Sequence, residues 1–342
     1  MANKKRNTIL FIVLGLGLLL MFFASISLGS VNIPFRDVYT SLTGSHASKS
    51  TWEYIIINYR LPKAITAILV GTGLSISGLL MQTLFRNPLA GPYVLGLSSG
   101  ASLGVAFVIL GAGFLPSFLR TIALSSYGIV LASTLGSTLV LLLVLVVSQR
   151  LRDTMAILIV GLMFGSFTTA IVSVLTYFST AEQLQKFTFW SLGNLGNLSW
   201  KSIIVLAGSV FFGLVLSAAS IKPLNALLLG ENYAKSMGLN FNKARLIIIF
   251  ATSILAGSIT AFAGPIAFIG LAVPHIAKLT FQTSNHMILF WSTLLFGAII
   301  VLFCDIVSQM PGFDVTLPIN AITSIIGAPV VIWLLIHKRN FR

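Results

Sequence analysis

SIKPLNALLLGENYAKSMGLNFNKAR, residues 220–245, is the longest polar interruption between two apolar blocks that are each long enough to cross a bilayer. It carries Lys222, Lys235, Lys243 and Arg245 against one acid, Glu231, so it belongs outside the hydrocarbon. Its internal order predicts more than a linker. Pro223 opens a short helix with Leu224, Leu227 and Leu228 on one face, and Gly230 stops it. Glu231 to Met237 reads as a second helical turn or two, ended by Gly238 in the left-handed conformation. Two short helices with apolar and basic faces form a docking knob for another protein. The plainer alternative is a solvated loop whose cations mark one side of a membrane.

Outward from this segment the chain is apolar. Of 342 residues 56% are hydrophobic and 8% charged, with a mean hydropathy of +1.00, which excludes a water-soluble globular domain. A net charge of +14 raises nucleic acid as a partner, but the cations are scattered singly between apolar blocks instead of clustering. The single cysteine, Cys304, excludes an intramolecular disulfide and a cysteine-based metal cluster, and no metal site is expected. MANKKRN followed by an apolar run imitates a secretory leader. The run 8–28 is longer than a leader's apolar core and lacks a clear A-x-A site, so it is expected as the first membrane helix.

Ten spans follow from hydropathy: 8–28, 64–85, 93–113, 122–147, 154–178, 202–220, 244–262, 265–279, 287–304 and 317–336. The eighth is too short for a regular crossing. An even number puts both termini on one side, and 14 of the 21 lysines and arginines fall on that side together with 220–245. By the positive-inside rule that side is the cytoplasm. The outer loop 29–59 ends in Arg60-Leu-Pro-Lys63, two cations beside the mouth of the second helix. They anchor the helix at the interface, or they meet acids on an extracytoplasmic partner.

Helix two, with Gly71, Gly73, Ser75, Ser77 and Gly78, is expected in the middle of a bundle, because small residues let backbones approach. It ends in a tight turn built on Arg86, Asn87 and Pro88. Gly96-Leu-Ser98-Ser-Gly100 matches the G-x-S-x-G pattern of serine hydrolases, but within the predicted membrane segments His275 is the sole candidate base. Packing explains that match better. Helix five carries Ser166, Thr169, Ser173 and Thr176; its hydroxyls either bond back to their own helix or line a wet path. Gly264, Pro265, Gly270 and Pro274 break the eighth segment, which is tolerated at membrane depth only where protein or a cavity surrounds it. Gly91-Pro-Tyr-Val-Leu-Gly96-Leu parallels Gly264-Pro-Ile-Ala-Phe-Ile-Gly270-Leu with one residue inserted, which points to an inverted repeat.

Taken in order, Arg60-Leu-Pro-Lys63, Gln82, Arg86-Asn-Pro-Leu-Ala90, Trp190-Ser-Leu-Gly193, Leu229 to Gly238, Gly264 to Lys278 and Ile326-Gly-Ala-Pro329 resemble the FecCD-type permeases. These are the membrane subunits of ABC importers for iron-siderophores, haem and cobalamin. The resemblance implies an all-α polytopic type II importer permease fold of ten helices with an inverted repeat, a single membrane domain over 1–342. It implies a homodimer in the cytoplasmic membrane of a bacterium or archaeon, with a path on the two-fold axis, two cytoplasmic P-loop ATPase subunits that bind ATP, and an extracytoplasmic substrate-binding protein. Leu229, Gly230, Glu231, Asn232, Tyr233, Ala234, Lys235, Met237 and Gly238 would be the coupling element within 220–245, and Arg60 and Lys63 the docking cations. Two departures stand out: Gln309 replaces an expected cation and Thr316 an expected acid. No G-x-x-x-x-G-K-[ST] loop occurs, so the chain cannot bind ATP in the P-loop manner; ATP would be bound by the partner ATPases, and neither a cofactor nor an enzymatic activity is expected of the chain itself. The rival readings are an ion-coupled carrier that needs no ATPase and an intramembrane hydrolase using Ser98 and His275.

Overall fold

The computed structural model describes residues 2–44, 47–114, 116–150, 154–310 and 315–337. Arg152, Lys338, Arg339 and Arg342, counted above among the inside cations, lie outside the described residues. The described residues are helical and contain no strand. The first half of the chain forms α1 (Ala2–Ser27), α2 (Phe35–Leu42), α3 (Ser50–Ile55), α4 (Leu61–Leu84), α5 (Leu97–Ile109), α6 (Ser117–Ala123), α7 (Ser126–Arg150) and α8 (Thr154–Tyr177). The second forms α9 (Ala181–Ser191), α10 (Trp200–Ala219), α11 (Ile221–Leu228), α12 (Glu231–Ser236), α13 (Phe241–Ala263), α14 (Ile269–Phe281), α15 (His286–Ser308) and α16 (Ile319–His337). Among the described residues, seven helices are long and apolar enough to cross a membrane, and three shorter apolar ones, Leu97–Gly113, Ile269–Phe281 and Ile319–Trp333, occupy the remaining expected spans.

Three expectations shift. The second span starts earlier, because α3, a π turn (Ile56–Arg60) and α4 run on as one apolar stretch, Ser50–Leu84. The π turn falls just before Pro62, which has no N–H to continue the regular ladder. The third span is split: a 3₁₀ turn (Pro92–Leu95) and left-handed Gly96 (φ 76°) precede α5. In the eighth segment the break lies at 264–268, whereas Gly270 and Pro274 sit inside α14. The residue that opens α14 is Phe268 at φ 66°, a conformation that a bulky side chain adopts only under constraint. The constraint is visible. Asn320 Oδ1 accepts the Ala267 N–H at 3.0 Å, and a β-carbon on Gly327 would stand 2.4 Å from Phe268 Cβ. The two short helices of the echo, α5 and α14, thus share a design: 13 residues each, directly preceded by a left-handed residue, Gly96 in one and Phe268 in the other. The expected pairing of Gly96 with Gly270 is out by two.

The chain forms two compact units, residues 1–75, 194–208 and 266–342, and residues 76–193 and 209–265. In the first, α4 meets α15 backbone to backbone, since a β-carbon on Gly71 would stand 2.2 Å from the Gly297 carbonyl. The most apolar 18-residue window of the stretch containing α4 is 83% buried, as its small residues require. The first unit also packs the Phe11 ring against Phe281 at a tilt of 45°, ring centroids 4.8 Å apart.

In the second unit α5 and α7 approach through Gly100, Gly104, Ala132 and Gly136. A β-carbon on Gly104 would lie 2.1 Å from the Ala132 carbonyl, with no flexible side chain to yield. Gly104→Val should therefore destabilise the folded protein by about 3 kcal/mol, the upper end of overpacking, read as a lower melting midpoint in detergent. A parent-like midpoint would show that the two helices can separate freely. The hydrophobic centre of this unit is Val105, Ala106, Ile109 and Leu110, over which Val172, Leu175, Phe187 and Trp190 close.

Candidate functional site

Segment 220–245 folds as two short helices. α11 begins at Ile221, so Pro223 stands in the first turn, where a missing N–H costs nothing, instead of opening the helix. Ile221, Leu224 and Leu227 are its buried stripe, at spacings of three, while Leu228 turns outward. Gly230 (φ 116°) makes the bend. α12 closes with the Leu239 N–H on the Ala234 carbonyl across left-handed Gly238 (φ 84°), a Schellman cap. Asn240 Oδ1 then caps α13 by accepting the Lys243 N–H at 3.0 Å.

Ala234 is fully buried, whereas Leu228, Leu229, Tyr233 and Met237 are each at least half exposed. The knob is thus capped, seated on Leu224, Leu227 and Ala234, and tipped with large apolar side chains. The side chains of Glu231, Asn232 and Lys235 lie outside those described. Arg245, read as a cation of the knob's basic face, is buried with its guanidinium over the Phe241 ring at 5.6 Å. Arg86 (φ 46°) stands in the turn region after α4 and donates from Nη2 to the Leu227 carbonyl at 2.9 Å. Beside it the Asn87 side chain accepts the Leu89 N–H at 2.9 Å, and Pro88 follows in the same turn.

An open groove of about 570 Å³ lies in the same unit, lined by Tyr93, Gly96 and Ser99 on one side and by α8 on the other. From α8 come Ser166, Thr169 and Ser173, and also Gly161, Gly165 and Ala170; Thr176 is not among the lining residues. The hydroxyls bond back to their own helix. Ser166 donates to the Leu162 carbonyl at 3.3 Å, Thr169 to Gly165 at 2.8 Å and Ser173 to Thr169 at 3.0 Å, so each donor is satisfied and its oxygen lone pairs remain as acceptors on the wall. Positions 161, 165, 169 and 173 repeat every four residues, a signal that would have found the glycines.

Arg60 and Lys63 are both engaged inside the first unit. Arg60, 8% exposed, donates to the carbonyls of Ile26 (2.8 Å), Ser27 (2.7 Å) and Val31, pinning the chain after α1. Lys63 pairs with Asp305 at 2.9 Å, with 21% of its own side chain exposed and 1% of the acid's. Gln309 donates to the other Asp305 oxygen at 2.8 Å and Ser25 at 3.4 Å. At 309 a neutral amide thus serves as a donor to Asp305. Lys63 meets the charge of Asp305 from one side and the Gln309 amide bonds it from the other. Thr316 is exposed. Asp305 was given no role from the sequence, since a lone acid near a helix end carries no periodic signal.

The profile of the FecCD transport family matches residues 17–337, a range that includes knob, groove and polar cluster. The chain belongs to this family. Among its FecCD relatives, the hemin transport system permease protein HmuU of Yersinia pestis is 33% identical over 329 residues, 96% of each chain. The vitamin B12 import system permease protein BtuC of Salmonella typhi is 35% identical over 287 residues, 84% of this chain and 85% of that one. A solved ABC transporter of metal-chelate type, in an inward-facing conformation, superposes with a TM-score of 0.83 at 28% identity, over 95% of this chain and 98% of the other. PsaBC of Streptococcus pneumoniae shares the fold alone, with a TM-score of 0.54 at 15% identity, over 87% and 95%. The G-x-S-x-G match in this FecCD chain has no strand before it; Ser98 lies in the first turn of α5, without the strand–turn–helix that exposes a nucleophile.

Proposed function

We propose that this chain is the membrane permease of an ABC importer for a bulky metal chelate, with an iron-siderophore as the first candidate and haem or cobalamin beside it. It works as a homodimer with both termini and the knob in the cytoplasm, one P-loop ATPase against each knob and a substrate-binding protein outside. The observation that carries this reading is the knob, where four exposed apolar side chains stand on a capped, buried base. Such a surface suits burial in a partner's cleft. ATP-driven closure of the ATPases moves the knobs, and the groove opens alternately to the two sides. The groove wall offers hydroxyl acceptors and small residues and no lysine, arginine or acid. A wall of that kind passes a chelate without holding it, leaving capture to the outer protein. Of Arg60 and Lys63, Lys63 retains exposed surface for an acid of that protein.

Against an autonomous carrier stands the position of Asp305, in the last turn of α15 and paired, whereas ion coupling places ionisable groups along the middle of the path. The deciding experiment is photo-crosslinking from position 233 in intact cells, with the captured protein identified by mass spectrometry. Capture of a P-loop ATPase is expected. An expressed, inserted probe that captures none would return the ion-coupled carrier to first place.

A further inference from the structure

The geometry points to Arg86 as the positioning residue through which the knob moves the groove wall, an inference that rests on the proposed ATP-driven function. Arg86 lies where α4 gives way to two successive turns, each closed by its own bond: its N–H donates to the Thr83 carbonyl at 3.2 Å, and the Ala90 N–H to the Asn87 carbonyl at 3.0 Å. From the first of these the guanidinium reaches a residue 141 positions away, donating from Nη2 to the Leu227 carbonyl at 2.9 Å. That carbonyl is in the last turn of α11, where helix carbonyls lack intrahelical donors and the dipole places partial negative charge, so a cation is the fitting partner. It also accepts the Gly230 N–H at 3.2 Å. Arg86 therefore grips the bend between the two helices of the knob.

The second turn continues into the groove. The 3₁₀ turn Pro92–Leu95 and Gly96 follow it, and Tyr93 and Gly96 line the groove. Gly96 sits so close to α8 that a β-carbon on it would stand 3.0 Å from the Gly161 carbonyl, and Gly161 is itself a lining residue. A displacement of the bend is carried by one charge-assisted hydrogen bond to a closed turn, and from there along ten residues of chain to a backbone contact on the wall. The arginine itself is exposed, so removing it opens no cavity and buries no unpaired charge. Its loss should fall on coupling, not on folding.

The test uses the full transporter, permease with ATPase and binding protein, reconstituted in vesicles, with a Ser173→Cys reporter in the groove. Its labelling by a thiol-reactive maleimide is timed with and without ATP, so no transported substrate is needed. In Arg86→Ala the ATP-driven change in labelling rate should shrink about tenfold, while ATP hydrolysis stays within about twofold of the parent and the crosslink from position 233 to the ATPase persists. Arg86→Lys, which keeps a donor and the charge but not the fork, should recover part of the change. A parent-like change in Arg86→Ala would overturn the assignment. So would an equal fall of labelling change, hydrolysis and crosslink in both variants, the mark of a residue that only holds the fold, and so would a parent that binds the ATPase yet shows no ATP-driven change. A parent that captures no ATPase at all would instead sink the proposed function beneath it.

Discussion

Lys63→Met should lower stability by about 3 kcal/mol, seen as a lower melting midpoint of the purified protein in detergent. Asp305 is 1% exposed and meets Lys63 at 2.9 Å; without that cation its charge stays inside the protein with only Gln309 and Ser25 as donors. The figure sits at the low end for a broken buried pair because Lys63 keeps 21% of its side chain exposed, which admits water to the gap. Lys63→Met combined with Asp305→Leu should regain most of the loss, since it leaves no uncompensated charge. A single variant melting with the parent, or a double variant no better than the single, would show that this pair does not brace the first unit.

The second large effect is expected at the knob's tip. Tyr233→Ala and Met237→Ala should each weaken ATPase binding by about 2 kcal/mol, roughly thirtyfold, as truncated anchors of an interface do. Both side chains are more than half exposed, so the permease itself should express and melt like the parent. The measurement is the amount of ATPase that co-purifies at limiting concentration. Recovery at the parental ratio from the double variant would place the docking surface elsewhere. Together with Lys63→Met this separates the two ends of the mechanism: one change loosens the fold and leaves the knob intact, the other leaves the fold intact and empties the knob.

Much of this was legible in one dimension. The ten apolar stretches, the bend at Gly230, the stop at Gly238 and the tight turn at 86–88 all rest on local chemistry, and outside the second, third and eighth spans the membrane helices fall where hydropathy puts them. Errors arose wherever a residue's fate depended on a distant neighbour. Leu228 was grouped with Leu224 and Leu227, but what α11 packs against decides which edge of its stripe is covered. Gly270 was read as a break because glycine tolerates one; yet the left-handed residue is Phe268, held by Asn320 from α16 and admitted by the missing side chain of Gly327.

The sequence by itself determined a polytopic helical membrane protein with a polar knob, because burial in lipid demands long uninterrupted apolar runs and caps, and these demands are written in consecutive residues. Only the tertiary structure decided that Arg60 faces the carbonyls of its own chain, that Lys63 meets an acid 242 positions away, and that Arg86 holds the knob. Such pairings are set by where helices cross, and a crossing is fixed by the summed packing of many small contacts that no local pattern records.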